Sequence, residues 1–178
     1  NWESGNADRK RKGEFMRHSI VARLIVIAIF CLSSVIGKEN PEATAKYEKA
    51  LKQLKAGDLE VDFKGLRMNC AASKYGCEAD SDDRKAVGLL LNEKKFEEAL
   101  TAANKAIEGA FVAIEMHYLA FLASMELKKE GEAEFHKLMI RGRLDSIQEN
   151  KRGRSEEDAF DVINVHEEYV FLRFSNMT

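Results

Sequence analysis

The sequence predicts a mainly α-helical fold, in which antiparallel helical hairpins are followed by a small C-terminal β-hairpin. Between Asp82 and Arg143, apolar residues recur at helical spacing in four short segments, so each segment has one apolar face to bury. These residues are Leu89, Leu90, Phe96, Ala99, Leu100, Ala103, Ile107, Ile114, Leu119, Leu122, Met125, Phe135, Leu138 and Met139. In contrast, residues 144–148 and 159–165 alternate apolar and polar side chains, as strands do. The 178-residue chain has one proline and is 45% hydrophobic, which is typical of a helix-rich globular protein.

Residues 1–37 are expected to form an N-terminal extension and a signal peptide. The first 15 residues are polar, and we interpret them either as translated upstream sequence or as a longer n-region than the cell uses. Positive charge then precedes an apolar run at 24–32, and small residues surround a cleavage site after Gly37. As a helix, residues 24–37 would extend about 21 Å against a hydrocarbon core of about 30 Å, which favours a cleaved signal over a membrane anchor. We therefore expect export, with no membrane span after cleavage.

The charge of the mature chain argues against two classes of partner. From residue 38 onward there are 22 Lys and Arg against 27 Asp and Glu, a net charge of −5. No basic face is concentrated enough for nucleic acid, and an acidic exported domain is not attracted to anionic membrane surfaces.

The first two helices carry clear end signals. Asn40 provides a capping side chain before a proline, and this helix is predicted to run to about Ala56, where Gly57 suits a left-handed stop. Asp62 is predicted to cap a second helix over 63–73.

Cys70 and Cys77 are the two cysteines that remain after signal cleavage. Two alternatives are open: a disulfide, as an oxidising compartment permits, or two unpaired thiols. Neither cysteine has an adjacent base or a CxxC spacing, so the sequence does not support a catalytic thiol.

Residues 96–100 and 131–135 are similar to one another at about the 34-residue period of a tetratricopeptide repeat. Ala106 falls where that repeat has a small residue. Phe111 stands where the repeat ends in proline, and Phe121 where it prefers a small side chain. The segment therefore resembles a degenerate pair of tetratricopeptide repeats, which stabilise one another by stacking.

Short motifs spread over residues 47–174 point to one family. They are Gly57-Asp58-Leu59, Val61-Asp62-Phe63, Leu66-Arg67-Met68, Phe135-His136, Ser146-Ile147, Ser155, Glu157, Ala159-Phe160, Val162-Ile163 and Glu167-Glu168-Tyr169. Together they resemble the bacterial domain of unknown function 4919. The resemblance implies a bacterial protein, periplasmic or extracellular, with tetratricopeptide-like helices, a C-terminal β element and no known reaction. The chain departs from the family pattern at 75–78 and 150–154. If these loops contact a ligand in other members of the family, that role does not extend to this chain.

These observations predict three parts. Residues 1–37 are the extension and signal peptide, and 38–144 are the tetratricopeptide-like helical region. Residues 145–178 hold the β-hairpin and a short segment packed on the helical region. That segment suits either a helix or a strand, and we favour a helix.

The sequence predicts neither a metal site nor a cofactor. In a hairpin that turns near Gly131, His117 and His136 would lie roughly 13 Å apart along the helix axis, too far for one zinc ion. His166 would have to fold back to reach either of them. No GxSxG elbow or glycine-rich phosphate loop is present.

We therefore expect an exported, noncatalytic protein-interaction module or scaffold, whose unknown protein or peptide partner lies in a groove lined by the first helices of successive pairs. The predicted partner-binding residues are Glu115, Tyr118, Arg141 and Arg143. Two alternatives are open. An enzyme of unrecognised type would have a closed pocket with a perturbed carboxylate or histidine, and a purely structural envelope protein would fill the groove with its own C-terminal segment.

Overall fold

The structure is a computed structural model that describes residues 39–175, and its regular structure there is helical. The helices are α1 (Pro41–Lys55), α2 (Phe63–Ala72), α3 (Ser81–Asn92), α4 (Phe96–Gly109), α5 (Ile114–Glu126), α6 (Glu130–Gln148) and α7 (Val165–Phe174). The predicted mainly α class is confirmed. The predicted extension and signal peptide at 1–37 lie outside the described residues. None of these seven helices has the length and apolar character needed to cross a membrane.

The ends of α1 and α2 follow from local side-chain chemistry. The Asn40 side chain accepts hydrogen bonds from the first backbone N–H groups of α1, and Gly57 adopts a left-handed φ of 86° after its end. The Asp62 carboxylate caps α2 by accepting from the Gly65 backbone N–H at 2.8 Å. A Cβ at residue 65 would lie 2.3 Å from that carboxylate, so the glycine inside the helix makes room for the cap.

In the series α3, α4, α5 and α6, each helix packs on the one that follows it up to α6. In addition, α1 packs on α2, and α3 contacts α5. Four fully buried alanines let these helix backbones approach closely. They are Ala99, Ala103, Ala120 and Ala123. Two residues of the predicted apolar faces are exposed instead, Leu89 by 61% and Met125 by 56%. The four helices predicted between Asp82 and Arg143 are thus present, with two residues assigned to the wrong face.

The predicted C-terminal β-hairpin is wrong, because residues 39–175 contain no strand. Residues 144–148 form the last turns of α6, so this helix crosses the predicted boundary at 144, and 159–163 are irregular. A short pattern of apolar residues fits the period of a helix as well as that of a strand, and tertiary packing decides which of the two forms. Here Ile147 is fully buried in a second apolar cluster with Val170 and Phe171, which a helical path allows.

The segment over 165–174 is helical, as favoured from the sequence. The Asn164 side chain caps α7 by accepting from the Glu167 backbone N–H at 2.7 Å. Val170 and Phe171 on α7 then pack against Ile114 at the start of α5. This docking places α7 beside the first helices of the two hairpins.

Candidate functional site

A surface groove lies between α3, α5 and α7, with a volume of about 310 Å³. Its lining residues are Ser81, Arg84, Lys85, Glu115, Tyr118, Leu119, Arg173 and Phe174. We call this the α3/α5/α7 groove. Two of the four predicted partner-binding residues, Glu115 and Tyr118, line it.

The Glu115 carboxylate is the ionic centre of the groove. Its Oε2 lies 3.0 Å from His166 Nε2 and 3.4 Å from Arg84 Nε, and its Oε1 lies 3.7 Å from Arg173 Nη1. The carboxylate is only 20% exposed, so these contacts are screened less than ordinary surface pairs. One side chain of α5 thereby connects α3 and α7.

The rest of the groove combines aromatic and cationic surface. The rings of Tyr118 and Phe174 meet edge to face, with centroids 5.1 Å apart, an arrangement that aromatic pairs prefer. Lys85 pairs with Asp82 at 3.0 Å, and both side chains are largely exposed. Such an exposed pair is weak and readily exchanged for another partner.

The other two predicted partner-binding residues lie elsewhere. Arg141 is on α6, where its side chain is 79% exposed and lies 3.9 Å from Asp145, and it does not line the groove. Arg143 is fully buried, so the prediction that it contacts a partner at the surface is wrong. The two arginines are two residues apart on one helix, which turns them to different sides.

Arg143 belongs to a buried polar centre with Arg67, His117, His136 and Glu167. Its Nη2 donates to the backbone carbonyl of Phe111 at 2.5 Å, and its guanidinium carbon lies 5.6 Å from the Phe111 ring centroid. Among the described residues, its Nε and Nη1 have no hydrogen-bond partner. Burial, which outweighs the attraction of Tyr47 and Glu167, lowers the pKa of Arg143 to about 9.

The predicted separation of His117 and His136 is wrong, because their Nδ1 atoms are 3.0 Å apart. That prediction placed the turn near Gly131, but the loop between α5 and α6 is centred on Lys128. His136 therefore lies opposite a residue about one helical turn from His117, and the two side chains span the remaining distance.

The hydrogen bonds of the histidine pair assign its tautomers. His117 Nε2 lies 3.0 Å from the Phe111 carbonyl oxygen, which only accepts, so this nitrogen carries the proton and donates. His117 Nδ1 is then an acceptor, and His136 Nδ1–H donates to it. His117 is therefore neutral in this arrangement.

The environment of the pair keeps both imidazoles neutral. Burial, followed by the positive charge of Arg143, lowers the pKa of His136 to about 4. The same two causes, in the same order, hold the pKa of His117 well below its ordinary value. A metal ion bound here would meet the Arg143 guanidinium, whose Nη2 is 3.3 Å from His117 Nε2. Within residues 39–175, no group of three or more His, Cys, Asp or Glu is placed to hold a metal ion.

Replacing Arg143 with methionine is expected to stabilise the protein. Methionine keeps much of the side-chain length and removes two buried N–H-bearing nitrogens without partners, while the Phe111 carbonyl keeps its hydrogen bond from His117. Removing a poorly satisfied buried charge should raise the free energy of unfolding by about 1–3 kcal/mol. Urea denaturation at pH 7, followed by circular dichroism, measures this change. A loss of stability would mean that Arg143 is better satisfied than its contacts indicate.

Arg67 and Glu167 form the other half of the buried polar centre. The guanidinium donates to both carboxylate oxygens, from Nε to Oε1 at 2.7 Å and from Nη2 to Oε2 at 2.6 Å. Arg67 is fully buried, and Glu167 is 7% exposed. The pair joins α2 to α7 and therefore helps to hold α7 where it forms one wall of the groove.

The structure joins Cys70 and Cys77 in a disulfide, with their Cα atoms 6.0 Å apart. This is the first of the two alternatives left open by the sequence. The bond links the last turn of α2 to the segment that leads into α3.

Six groove residues were not predicted to bind a partner. They are Ser81, Arg84, Lys85, Leu119, Arg173 and Phe174. Arg84 and Lys85 lie on α3 about one helical turn after Ser81, and helical periodicity places these three residues near one another on that helix. The two residues on α7 depend on how that helix docks on α5, which periodicity does not specify.

No protein-family model matches the chain, and no curated protein or solved structure matches it either. The resemblances to domain of unknown function 4919 and to tetratricopeptide repeats therefore stay predictions.

Proposed function

We propose that the chain is an exported, noncatalytic interaction module of the kind that domain of unknown function 4919 implies. In this proposal, α3 to α6 are two tetratricopeptide-like antiparallel hairpins, and a segment of another protein binds in the α3/α5/α7 groove. The observation that carries the proposal is that this groove is lined by α3 and α5, the first helices of the two successive pairs.

The packing of the helices supports the proposed repeat. α3 contacts α5 directly as well as through α4, which is what stacked hairpins require of their first helices. The fully buried alanines Ala99 and Ala123 lie in the second helix of the first pair and the first helix of the second pair. Small residues at these positions allow the close helix contacts that a stacked repeat needs.

The titratable groups favour binding over catalysis. The groups with the most strongly perturbed pKa values, His117, His136 and Arg143, are buried and do not line the groove. The Glu115 carboxylate in the groove is surrounded by three cationic or imidazole side chains. A general base must reach its substrate, and the buried His117, His136 and Arg143 side chains are not accessible from the groove.

One observation favours the structural alternative. The C-terminal helix α7 docks against α5 and occupies part of the side that α3 and α5 would present to a partner. A protein that uses its own helix to complete the core would need no partner there. The groove beside α7 is still open, as an interaction module requires and a purely structural protein does not. Filling this open volume therefore tests which of the two functions the protein has.

The proposed function predicts that filling the groove abolishes capture of a partner. Ser81→Trp places a bulky side chain at an exposed position of the groove wall without changing its charge. The variant and the parent chain are immobilised and exposed to envelope extracts, and bound proteins are quantified by mass spectrometry. We expect at least one protein to be captured by the parent chain and lost from Ser81→Trp.

The matched control is Thr101→Trp, which makes the same change in size at an exposed position of α4 outside the groove. It should capture the same protein as the parent chain. If every captured protein binds all three chains equally, the groove is not an interaction site and the structural alternative is favoured.

A further inference from the structure

We propose that the α3/α5/α7 groove binds an internal acidic segment of its partner, in which Asp or Glu residues flank an apolar side chain. This inference rests on the proposed function and names the chemistry of the ligand. It follows from the balance of charge in the groove, from the accessibility of two cations and from the aromatic pair in the groove lining.

The groove is a positive site on an acidic chain. Its lining contains the cations Arg84, Lys85 and Arg173 and the carboxylate Glu115, which leaves an excess of two positive charges. The excess is one positive charge when Asp82, the exposed partner of Lys85, is counted. The whole chain carries a formal charge of −2. At physiological ionic strength charges are screened over about 8 Å, so a ligand in the groove responds to the local excess and not to the distant acidic surface.

Two of the three cations are available to a ligand. Arg84 is 24% exposed and is engaged with Glu115 and His166, so it serves the protein itself. Lys85 and Arg173 are 72% and 69% exposed. Among the described residues, Lys85 pairs only with the exposed Asp82, and Arg173 pairs only with Glu115, at the long distance of 3.7 Å. Their N–H groups can therefore donate to ligand carboxylates.

The positions of the two available cations indicate more than one carboxylate. Lys85 lies on α3 and Arg173 on α7, on different walls of the groove. A segment with two acidic side chains can satisfy both, whereas a single terminal carboxylate brings one charge. This favours an internal acidic segment over a free C-terminus.

The aromatic wall accounts for the apolar residue of the ligand. Tyr118 and Phe174 form an edge-to-face pair, and Leu119 also lines the groove. The volume of about 310 Å³ is at the lower end for a ligand pocket and suits a few side chains. A Glu-Leu-Glu arrangement matches this size, with the leucine on the rings and the carboxylates on the cations.

The test uses a defined peptide and fluorescence anisotropy with the full chain. The probe is a dye-labelled, C-amidated nonapeptide of Gly and Ser with Glu-Leu-Glu at its centre. The groove variant is Lys85→Glu combined with Arg173→Glu. The matched control is Lys49→Glu combined with Lys105→Glu, which reverses two exposed charges outside the groove. We expect the groove variant to bind about tenfold more weakly and the control to bind within about twofold of the parent chain. Circular dichroism confirms that all three chains are folded.

Two further peptides define the outcomes. A Gln-Leu-Gln peptide should bind at least about tenfold more weakly than the acidic probe, because it offers no charge to either cation. The same neutral peptide with a free terminal carboxylate should remain weak. Equal binding of acidic and neutral peptides, no effect of the groove variant, or preference for the free terminus would overturn this inference. The proposed function would survive those results if Ser81→Trp still abolished capture of a partner.

Discussion

Arg67→Met is expected to lower the free energy of unfolding by about 3–5 kcal/mol, because it leaves the Glu167 carboxylate buried without the counter-charge to which it is hydrogen-bonded. The carboxylate would keep one hydrogen bond, from the Ile163 backbone N–H to Oε2 at 2.8 Å. The substitution also removes the hydrogen bonds from Arg67 to the Ser146 hydroxyl at 3.1 Å and to the Asp161 carbonyl at 2.5 Å. The Arg67 side chain thus connects α2 to α6, to the irregular segment and to α7. The substitution removes all of these contacts together.

The double variant Arg67→Met with Glu167→Met tests whether the unpaired charge is the cause. Removing both partners also removes the buried charge, so more than half of the lost stability should return. Lys46→Met is the control, since the Lys46 pair with Glu42 is exposed and its loss should have no measurable effect. Urea denaturation of the four chains measures these differences. A double variant no more stable than Arg67→Met would show that the lost packing and hydrogen bonds matter, and the charge does not.

Local chemistry explains why the helices and their ends were predictable. Asn40, Gly57 and Asp62 act within a few residues of their own positions, so the sequence contains all the information that their caps and stop require. The prediction of the β-hairpin failed because local sequence does not decide the structure of these residues. Five to seven alternating residues fit two periods, and the burial of Ile147 against α7 decides for the helix.

The candidate site was only partly predictable, because most of it joins distant parts of the chain. Glu115 and Tyr118 could be predicted as groove residues, because both lie on α5, the first helix of its pair, and that prediction assigned one face of such helices to the groove. Arg67 and Glu167 are 100 residues apart, and no pattern indicates that they meet. Predicting the contact between the histidines required the correct position of the loop between α5 and α6. The predicted position was three residues too late in the chain. This error shifted the expected position of His136 by more than one helical turn along α5.

Acidification is expected to destabilise the protein through the buried histidine pair. His136 has a folded pKa of about 4, below the ordinary value of 6.5 that applies in the unfolded chain. The unfolded state therefore binds a proton first, so the stabilisation is complete above pH 6.5 and is lost as the pH falls towards 4. The pKa difference corresponds to about 3 kcal/mol for His136, and His117, which is also held neutral by burial and Arg143, adds to the loss in the same direction.

His136→Asn isolates this contribution, because the asparagine amide can still donate to His117 Nδ1 but does not titrate. Free energies of unfolding are measured by urea denaturation at pH 7, 5.5 and 4 for both chains. The parent chain should lose about 2–3 kcal/mol more than the variant over this range, since the carboxylates of the two chains titrate alike. Parallel pH profiles would show that His136 becomes charged as easily when folded as when unfolded. Such a result would mean that the positive charge of Arg143 and the burial of the ring do not control its protonation.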